Sequence, residues 1–171
     1  MKIKPKDIRL RPVKLSDAKE LWNLINDKEV IKQLSGYSYP CPFSKIKKET
    51  EEGIRNLRTK KSYYFTILAN GEIVGWIVLE NPSKDKKRYD IGFYIGRKFW
   101  NKGIASEAIR QTIDFGFNKL KLYRIQADND SDNPASGRAM KKAGMKFEGA
   151  RKNIQKKGNK FIDLHLWGIW R

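Results

Sequence analysis

The chain has 171 residues, 39% of them hydrophobic, and carries 37 Lys and Arg against 19 Asp and Glu, a formal charge of +18. This length suits one core, so we expect residues 1–171 to form a single domain. One cysteine, Cys41, excludes an internal disulfide, and one histidine excludes a zinc cluster, so we expect no metal. The sequence has neither a signal peptide nor a membrane-length apolar run, which predicts a cytoplasmic protein with no membrane contact.

The first half of the chain predicts a strand, two helices and a hairpin. IRLRPV alternates at period two, as a strand does, and Ser16 is placed to cap a helix whose apolar residues recur at helical spacing. Prolines in SYPCPF interrupt the chain before a charged helix from about Ser44 to Arg58. Two β-rich runs then meet at Asn70-Gly71, a dipeptide that tolerates the positive φ angles of a tight hairpin.

The second half predicts strands alternating with helices. RYDIGFYIG is typical of a strand, and an apolar stripe from Ile104 to Leu120 predicts a helix. LYRIQADN predicts the next strand. Its alternation puts three side chains on one face: Tyr123, Ile125 and Ala127.

The last elements are a short helix and a closing hairpin. The helix runs from about Pro134 to Ala143, with Gly144 as its C-terminal cap. Two strands, at Phe147–Ile154 and Phe161–Ile169, flank a turn at KKGN. The order of elements predicts a mixed α/β sheet.

The segment WNKGIAS joins a strand to the helix that begins at Ile104. The first N–H groups of a helix lack backbone partners and, with the helix dipole, bind anions. Gly103, Ala105 and Ser106 are small enough to admit a phosphate, and Lys102 adds positive charge. An ordinary loop before a capped helix would have the same sequence features.

Three stretches in order resemble the GNAT family of N-acetyltransferases: IGFYIGRKFWNKGIASEAI, YRIQADND and NPASGRAMKKAGMKFEG. The chain is most similar to the subgroup of ribosomal-protein N-terminal alanine acetyltransferases, and the resemblance extends from IRLRPVKLSDAKEL to the last strand. It implies an α/β (α+β) fold with a mixed, mostly antiparallel sheet of about seven strands, splayed in the middle, and about four helices. Trp100 replaces the family's usual Gln or Arg before the central glycine, as is common in the subgroup.

The resemblance also implies that acetyl-coenzyme A lies between two splayed central strands. Its pantetheine would bond to the strand backbone at Phe93, Tyr94 and Ile95. Its pyrophosphate would rest on the N–H groups of Asn101, Lys102, Gly103, Ile104, Ala105 and Ser106. Asn133 and Ser136 would contact the cofactor arm, and Arg138 would meet a phosphate or be solvated.

Acetyl transfer to an amine needs a base for the amine and a proton for the departing thiolate. The family's usual tyrosine donor is replaced by Met140, so Ser136 is the nearest polar candidate, unless it merely caps its helix. Asp90 corresponds to the acidic residue of the subgroup's strand and would act as the base directly or through water, unless it only pairs with a lysine. Glu80 is the second candidate for the base, or an ordinary surface residue.

Four further residues are expected to be structural. His165 alternates with leucines on a strand, which favours packing or solvent contact over catalysis. Trp76, Trp167 and Trp170 are expected in the core or a pocket wall rather than as a platform for stacking bases.

The leading hypothesis is an enzyme that transfers acetyl directly, in a ternary complex, to a primary amine at a protein N-terminus. The positive charge suits work near a ribosome or RNA, or an acidic peptide, and opposes polycationic acceptors such as polyamines. That charge is spread along the chain, however, and a lysine-rich surface also promotes solubility. The alternatives are a small-molecule amine acetyltransferase, a non-catalytic acetyl-coenzyme A sensor and a nucleic-acid-binding module, as a monomer or a homodimer.

Overall fold

The computed structural model describes residues 3–157 and 159–171. The strands are β1 (Ile8–Pro12), β2 (Tyr63–Ala69), β3 (Glu72–Glu80), β4 (Arg88–Ile95), β5 (Arg124–Asp130), β6 (Lys146–Lys157) and β7 (Lys160–Trp170). The helices are α1 (Ala18–Ile25), α2 (Lys28–Ile31), α3 (Phe43–Thr59), α4 (Ile104–Asn118) and α5 (Pro134–Lys142). In these ranges no helix combines the length and apolarity needed to cross a bilayer.

The strands form one seven-stranded sheet in the order β1-β2-β3-β4-β5-β7-β6. All neighbours are antiparallel except β4 and β5, which run parallel. In the described chain this central ladder joins only Arg88–Asp90 to Arg124–Gln126. Both strands then continue, to Ile95 and Asp130, and a gap opens between them. The expected mixed sheet with a central splay is therefore confirmed.

Helices cover the two faces of the sheet. On one face, α1 and α3 contact β2, β3 and β4, and the hydroxyl of Tyr94 donates to the carbonyl of Leu21 in α1 at 2.9 Å. On the other face, Phe115 of α4 packs edge-on against Tyr63 and Phe65. α5 lies on β5, β6 and β7. Because side chains alternate along a strand, each residue of β4 or β5 belongs to a known face.

The turn chemistry confirms two predictions. Asn70 and Gly71 have φ angles of 52° and 82°, as a tight hairpin requires. Gly144, with φ 100°, follows α5 directly after its C-cap residue, Ala143. The predicted turn at KKGN includes residue 158, which lies outside the described residues.

The Ser16 cap is wrong. Ser16 lies inside a 3-10 turn, Leu15–Asp17, and α1 begins at Ala18 after Asp17. Tyr123 is also misplaced, because it precedes β5 and is exposed, while Ile125 and Ala127 are buried. The one-turn helix α2 was not predicted, since four residues are too few to show helical periodicity.

Asp17 instead joins the first turn to the sheet. Its buried carboxylate accepts from Arg11 Nη1 at 2.6 Å, Arg11 Nη2 at 2.7 Å, Thr66 Oγ1 at 2.7 Å and the Lys14 N–H at 2.9 Å. Burial alone would raise the pKa of Asp17, but the hydrogen bonds from Arg11, Thr66 and Lys14 outweigh it and lower the pKa below its ordinary value. Asp17 is therefore ionised and holds β1 and β2 against the start of α1.

Candidate active site

A cleft of about 610 Å³ fills the gap between β4 and β5. Its walls are the C-terminal part of β4, the segment 99–106, the C-terminal part of β5 and the first turn of α5. Every residue predicted for the site lines this cleft: Glu80, Asp90, Phe93, Tyr94, Ile95, Asn101, Lys102, Gly103, Ile104, Ala105, Ser106, Asn133, Ser136 and Arg138. The fold thus brings together residues from four separate segments.

The backbone of β4 offers hydrogen bonds to the cleft at alternate residues. The Lys87 carbonyl accepts from the N–H of Tyr123, on the β5 side, while the N–H of Gly96 donates to Val74, on the β3 side. By alternation, the groups of Phe93 and Ile95 face the gap, and those of the residue between them face β3. The carbonyl of Ile95 already accepts from the indole N–H of Trp100 at 2.7 Å.

Tyr94 has a different role from its two neighbours. Its backbone faces β3, and its side chain is buried against α1 through the hydroxyl bond to Leu21. Of the three residues whose backbone was expected to bond to pantetheine, Phe93 and Ile95 face the gap, and Tyr94 packs against α1.

The turn before α4 has the geometry of an anion site. Asn101 and Gly103 have left-handed φ angles of 60° and 77°, and among the described residues no side chain caps the first N–H groups of α4. A Cβ atom at Gly103 would meet no heavy atom within 4 Å, so the space beside the helix end is open. The ammonium of Lys102 is held nearby by the carbonyl of Lys98, at 2.9 Å. These groups fit a phosphate ester.

Two carboxylates face each other across β3 and β4 where the gap begins. Glu80 is the register partner of Asp90, and alternation puts both on the face of α1 and α3. Asp90 accepts from Arg88 Nη1 at 3.1 Å, so its ion pair is with an arginine rather than a lysine. Burial raises the pKa of Glu80, the charge of Asp90 raises it further, and a hydrogen bond from Tyr64 opposes the rise.

Asp128 is a third carboxylate that sequence reasoning missed. It lies on β5, two residues beyond the last pair of the central ladder, and lines the cleft on the same face as Asp90. Partial burial raises the pKa of Asp128, and the charges of Asp90 and Asp130 add to the rise. No local signal identified it, because its position depends on pairing with a strand far away in the chain. Among the described residues, no group of acidic, Cys or His side chains is arranged to hold a metal ion.

Asn133, and not Ser136, caps α5. Its Oδ1 accepts the backbone N–H of Ser136 at 3.3 Å, and its carbonyl accepts from Asn129 Nδ2 at 3.0 Å. Asn129 is fixed in turn by the indole N–H of Trp167, at 2.8 Å. The alternative role of Ser136 as a cap is therefore wrong, and its hydroxyl remains at the wall of the cleft.

The remaining α5 residues behave differently from one another. Met140, which occupies the position of the family's tyrosine, is fully buried in the core. Arg138 is exposed at the rim of the cleft, where it is available to an anion.

The other predicted structural residues lie outside the cleft. His165 is half-buried and packs edge-on against Phe147, with centroids 5.5 Å apart. Trp76 stacks on Tyr64 at 5.2 Å, and Trp167 is buried. Trp170 was expected in the core or a pocket wall, and that is wrong, because it is 49% exposed at the end of β7.

The gap in the sheet connects two chemically different sites. The helix end that fits a phosphate belongs to α4, on one face, and the carboxylates of Glu80, Asp90 and Asp128 lie on the other. A long anionic ligand can enter from the α4 face while a cationic one enters from the carboxylate face, and the two can meet between β4 and β5.

Comparison with known proteins agrees with this arrangement. The chain belongs to the GNAT acetyltransferase family, because the family model described as an acetyltransferase (GNAT) domain matches residues 7–146. An uncharacterised N-acetyltransferase, p20, of Bacillus licheniformis is 28% identical over 167 residues, covering 95% of this chain and 92% of that protein. The protein is an N-acetyltransferase.

Two further relatives differ in their named acceptors. RimL, described as a ribosomal L7/L12 alpha-N-protein acetyltransferase and solved with coenzyme A, has a TM-score of 0.87 at 17% identity, covering 96% of this chain and 94% of that one. Spermidine N(1)-acetyltransferase of Escherichia coli (strain K12) is 22% identical over 142 residues, covering 83% of this chain and 74% of that protein.

Proposed function

We propose that this N-acetyltransferase takes its acetyl group from acetyl-coenzyme A and transfers it to the α-amine of a peptide or protein N-terminus. The observation that carries the proposal is the gap in the sheet. It is open at one face to an uncapped helix end and at the other to carboxylates. Both substrates reach the gap together, which suits direct transfer in a ternary complex.

The chain's own residues fit the cofactor. The N–H groups from Asn101 to Ser106 and the ammonium of Lys102 would hold the pyrophosphate, because the open space beside Gly103 admits it. The backbone N–H and carbonyl of Phe93 face the gap. They would hydrogen-bond to the pantetheine amide as the backbone of a neighbouring strand does. Bound there, acetyl-coenzyme A supplies an acetyl group activated as a thioester.

The carboxylates prepare the acceptor amine. An ammonium entering from the α1 and α3 face meets Glu80 and Asp90 before it reaches the gap. We assign Glu80 as the proton acceptor, since its pKa is raised and a proton on its carboxyl also removes repulsion with Asp90. Asp90, held by Arg88, would attract the ammonium.

Ser136 would assist at the sulfur. Its hydroxyl lies at the cleft wall and is not needed for the cap of α5, since Asn133 has that role. We assign to it a hydrogen bond to the departing sulfur, in place of the tyrosine that Met140 replaces.

A peptide α-amine is favoured by the fold likeness to RimL, which is described as an alpha-N-protein acetyltransferase. A polyamine is the second candidate, and a specific observation supports it. The whole chain is strongly cationic, yet its cleft gathers Glu80, Asp90, Asp128, Asp130 and Asp132. Such a lining attracts a polycation locally, and the general argument from net charge against polyamines is weaker for that reason.

A thiol-release assay distinguishes the two candidates. Purified protein and acetyl-coenzyme A are mixed with peptides beginning in Ala, Ser or Met, with the same peptides blocked at the α-amine, and with spermidine. Thiol release with free but not with blocked peptides supports the proposal. Thiol release with spermidine alone shows instead that the acceptor is a polyamine.

Variants link that activity to the cleft. Asp90→Asn and Glu80→Gln should lower release, while Glu72→Gln, an exposed carboxylate paired with Lys98 outside the cleft, should not. If the protein binds coenzyme A but releases no thiol with any amine, an enzymatic role is contradicted and the non-catalytic sensor remains.

A further inference from the structure

The end of the sheet opposite the cleft gathers positive charge from separate segments of the chain. β4 and β5 pair at their N-terminal ends and separate toward their C-terminal ends, so the residues preceding them lie outside the gap, at the paired end of the two strands. β4 has eight residues, and the two ends are therefore about 25 Å apart. None of the residues that form this end lines the cleft.

Backbone contacts bring these segments together. The Tyr123 N–H donates to the carbonyl of Lys87 at 3.0 Å, and the Arg171 N–H donates to the carbonyl of Tyr123 at 3.0 Å. Arg124 pairs in register with Trp170, and the ammonium of Lys146 lies 5.1 Å from the Trp170 ring centroid. We call this surface the basic end; it consists of Lys84, Lys86, Lys87, Lys119, Lys121, Tyr123, Arg124, Lys146, Trp170 and Arg171.

Two carboxylates, Asp85 and Glu148, lie beside the eight cations of the basic end, so most of its positive charge is uncompensated. Arg124 forms a salt bridge with Glu148, and no other cation of the basic end forms one with a described residue. Cations elsewhere more often have carboxylate partners, as Lys98 has in Glu72 and Lys152 has in Asp163. A surface of this kind attracts a polyanion.

Two aromatic rings give the basic end a second property. Tyr123 and Trp170 are each 49% exposed. Exposed rings among cations are the features that bind unpaired bases, which stack on the ring while Lys and Arg follow the phosphates. An acidic protein surface would use the charges but not the rings.

We propose that the basic end binds single-stranded RNA. RNA bound there leaves the cleft open to acetyl-coenzyme A and to an acceptor, because the two sites lie at opposite ends of β4 and β5. This inference does not depend on the identity of the acceptor. It gives the excess charge a place on the fold that the sequence alone could not assign.

Fluorescence anisotropy with labelled oligouridylate, over a range of salt concentrations around about 150 mM, tests the proposal. The triple variant Lys87→Glu, Lys121→Glu and Lys146→Glu should bind at least about tenfold more weakly and show a shallower dependence on salt. The matched control is Lys47→Glu, Lys48→Glu and Arg55→Glu, three exposed cations of α3 with the same change in charge. Equal losses in both triples would overturn the proposal, because the charge would then act diffusely.

A second variant tests the rings without changing the charge. Tyr123→Ala with Trp170→Ala should weaken single-stranded RNA about tenfold and leave duplex RNA unaffected. Polyglutamate that competes as well as RNA, or no RNA binding by the unmodified chain at about 150 mM salt, would overturn the proposal. Coenzyme A binding and thermal melting establish that each variant is folded. If the triple variant does not fold, Lys121→Glu alone should also weaken RNA binding. Peptide acetylation by the triple variant should be unchanged. The RNA-binding proposal can therefore fail while the proposed peptide acceptor stands, and the reverse is also true.

Discussion

A Cβ atom at Gly92 would lie 3.3 Å from Oε1 of Glu80, so the carboxylate of Glu80 rests over a strand position without a side chain. Glu80 can therefore stay beside Asp90 at the point where β4 and β5 separate. The position of this carboxylate depends on a glycine in the neighbouring strand.

Gly92→Ala should displace that carboxylate and lower kcat about tenfold, since small misplacements of a reacting group are costly. The Kd for coenzyme A should not change, because the α4 turn is untouched. Steady-state kinetics and calorimetry measure the two quantities. A normal kcat in this variant would show that the position of the Glu80 carboxylate does not affect the reaction.

Glu80→Gln should lower kcat by about 10²-fold or more if Glu80 takes the proton. The same variant should melt at a higher temperature at about pH 7, because the folded-state pKa of Glu80 is raised and its ionisation therefore opposes folding above the unfolded pKa. Below that pKa both forms are neutral, so the difference in melting temperature should vanish as the pH falls to about 4. Melting curves across pH test the sign, and a less stable variant at neutral pH would contradict it.

Ser136→Ala should lower kcat about tenfold or more and leave both coenzyme A affinity and stability nearly unchanged. Asn133→Ala is its matched partner, because Asn133 accepts the Ser136 N–H and caps α5. That variant should lose about 1 kcal/mol of unfolding free energy. Denaturant unfolding measures the loss of stability in both variants. Equal losses would indicate that Ser136, like Asn133, has a structural role.

Gly103→Val should abolish most coenzyme A binding, because its side chain would extend into the open space beside the α4 terminus. Gly71→Val is a close control. Its φ of 82° resembles the 77° of Gly103, and a Cβ there also meets nothing within 4 Å, but it lies in the β2–β3 hairpin away from the cleft. Both variants should lose about 1 kcal/mol of stability through backbone strain. Similar coenzyme A affinity in the two would rule out the phosphate role of Gly103.

Asp17→Asn should lower the free energy of unfolding at about pH 7 by about 2–4 kcal/mol, because it breaks a pair whose carboxylate is buried. The pKa of Asp17 is lowered in the folded state, so its stabilisation is present above the unfolded pKa and is lost as the pH falls through the folded pKa. The variant and the unmodified protein should therefore converge in acid. Asp163→Asn, at an exposed pair with Lys152, should change stability little.

Local signals predicted most of the fold. The hairpin at Asn70-Gly71, the apolar stripe of α4 and the proline and glycine that bound α5 each depend on neighbouring residues, and each is confirmed. The Ser16 cap failed because Asp17 bonds instead to Thr66, 49 residues away. No window of sequence contains that contact.

In the candidate active site, too, local features could be predicted and features formed by distant segments could not. The turn around Gly103 is a local feature, and its glycine and small residues indicated an anion site directly. Asp128 and the basic end were missed because they arise where separate segments meet, as when Tyr123 bonds to Lys87 across the sheet. The raised pKa of Glu80 likewise depends on burial and on the charge of Asp90, which the folded sheet supplies and no window of sequence shows.

The short ladder between β4 and β5 also has a consequence for the cooperativity of folding. Backbone pairing divides the sheet into two blocks, β1 to β4 and β5 to β7, that meet at the pairs from Arg88–Arg124 to Asp90–Gln126. We expect the two blocks to differ in amide hydrogen-exchange rate, because only this short ladder joins their backbones. A ligand that bonds to both strands of the gap would slow exchange in the two blocks together and make them unfold as one.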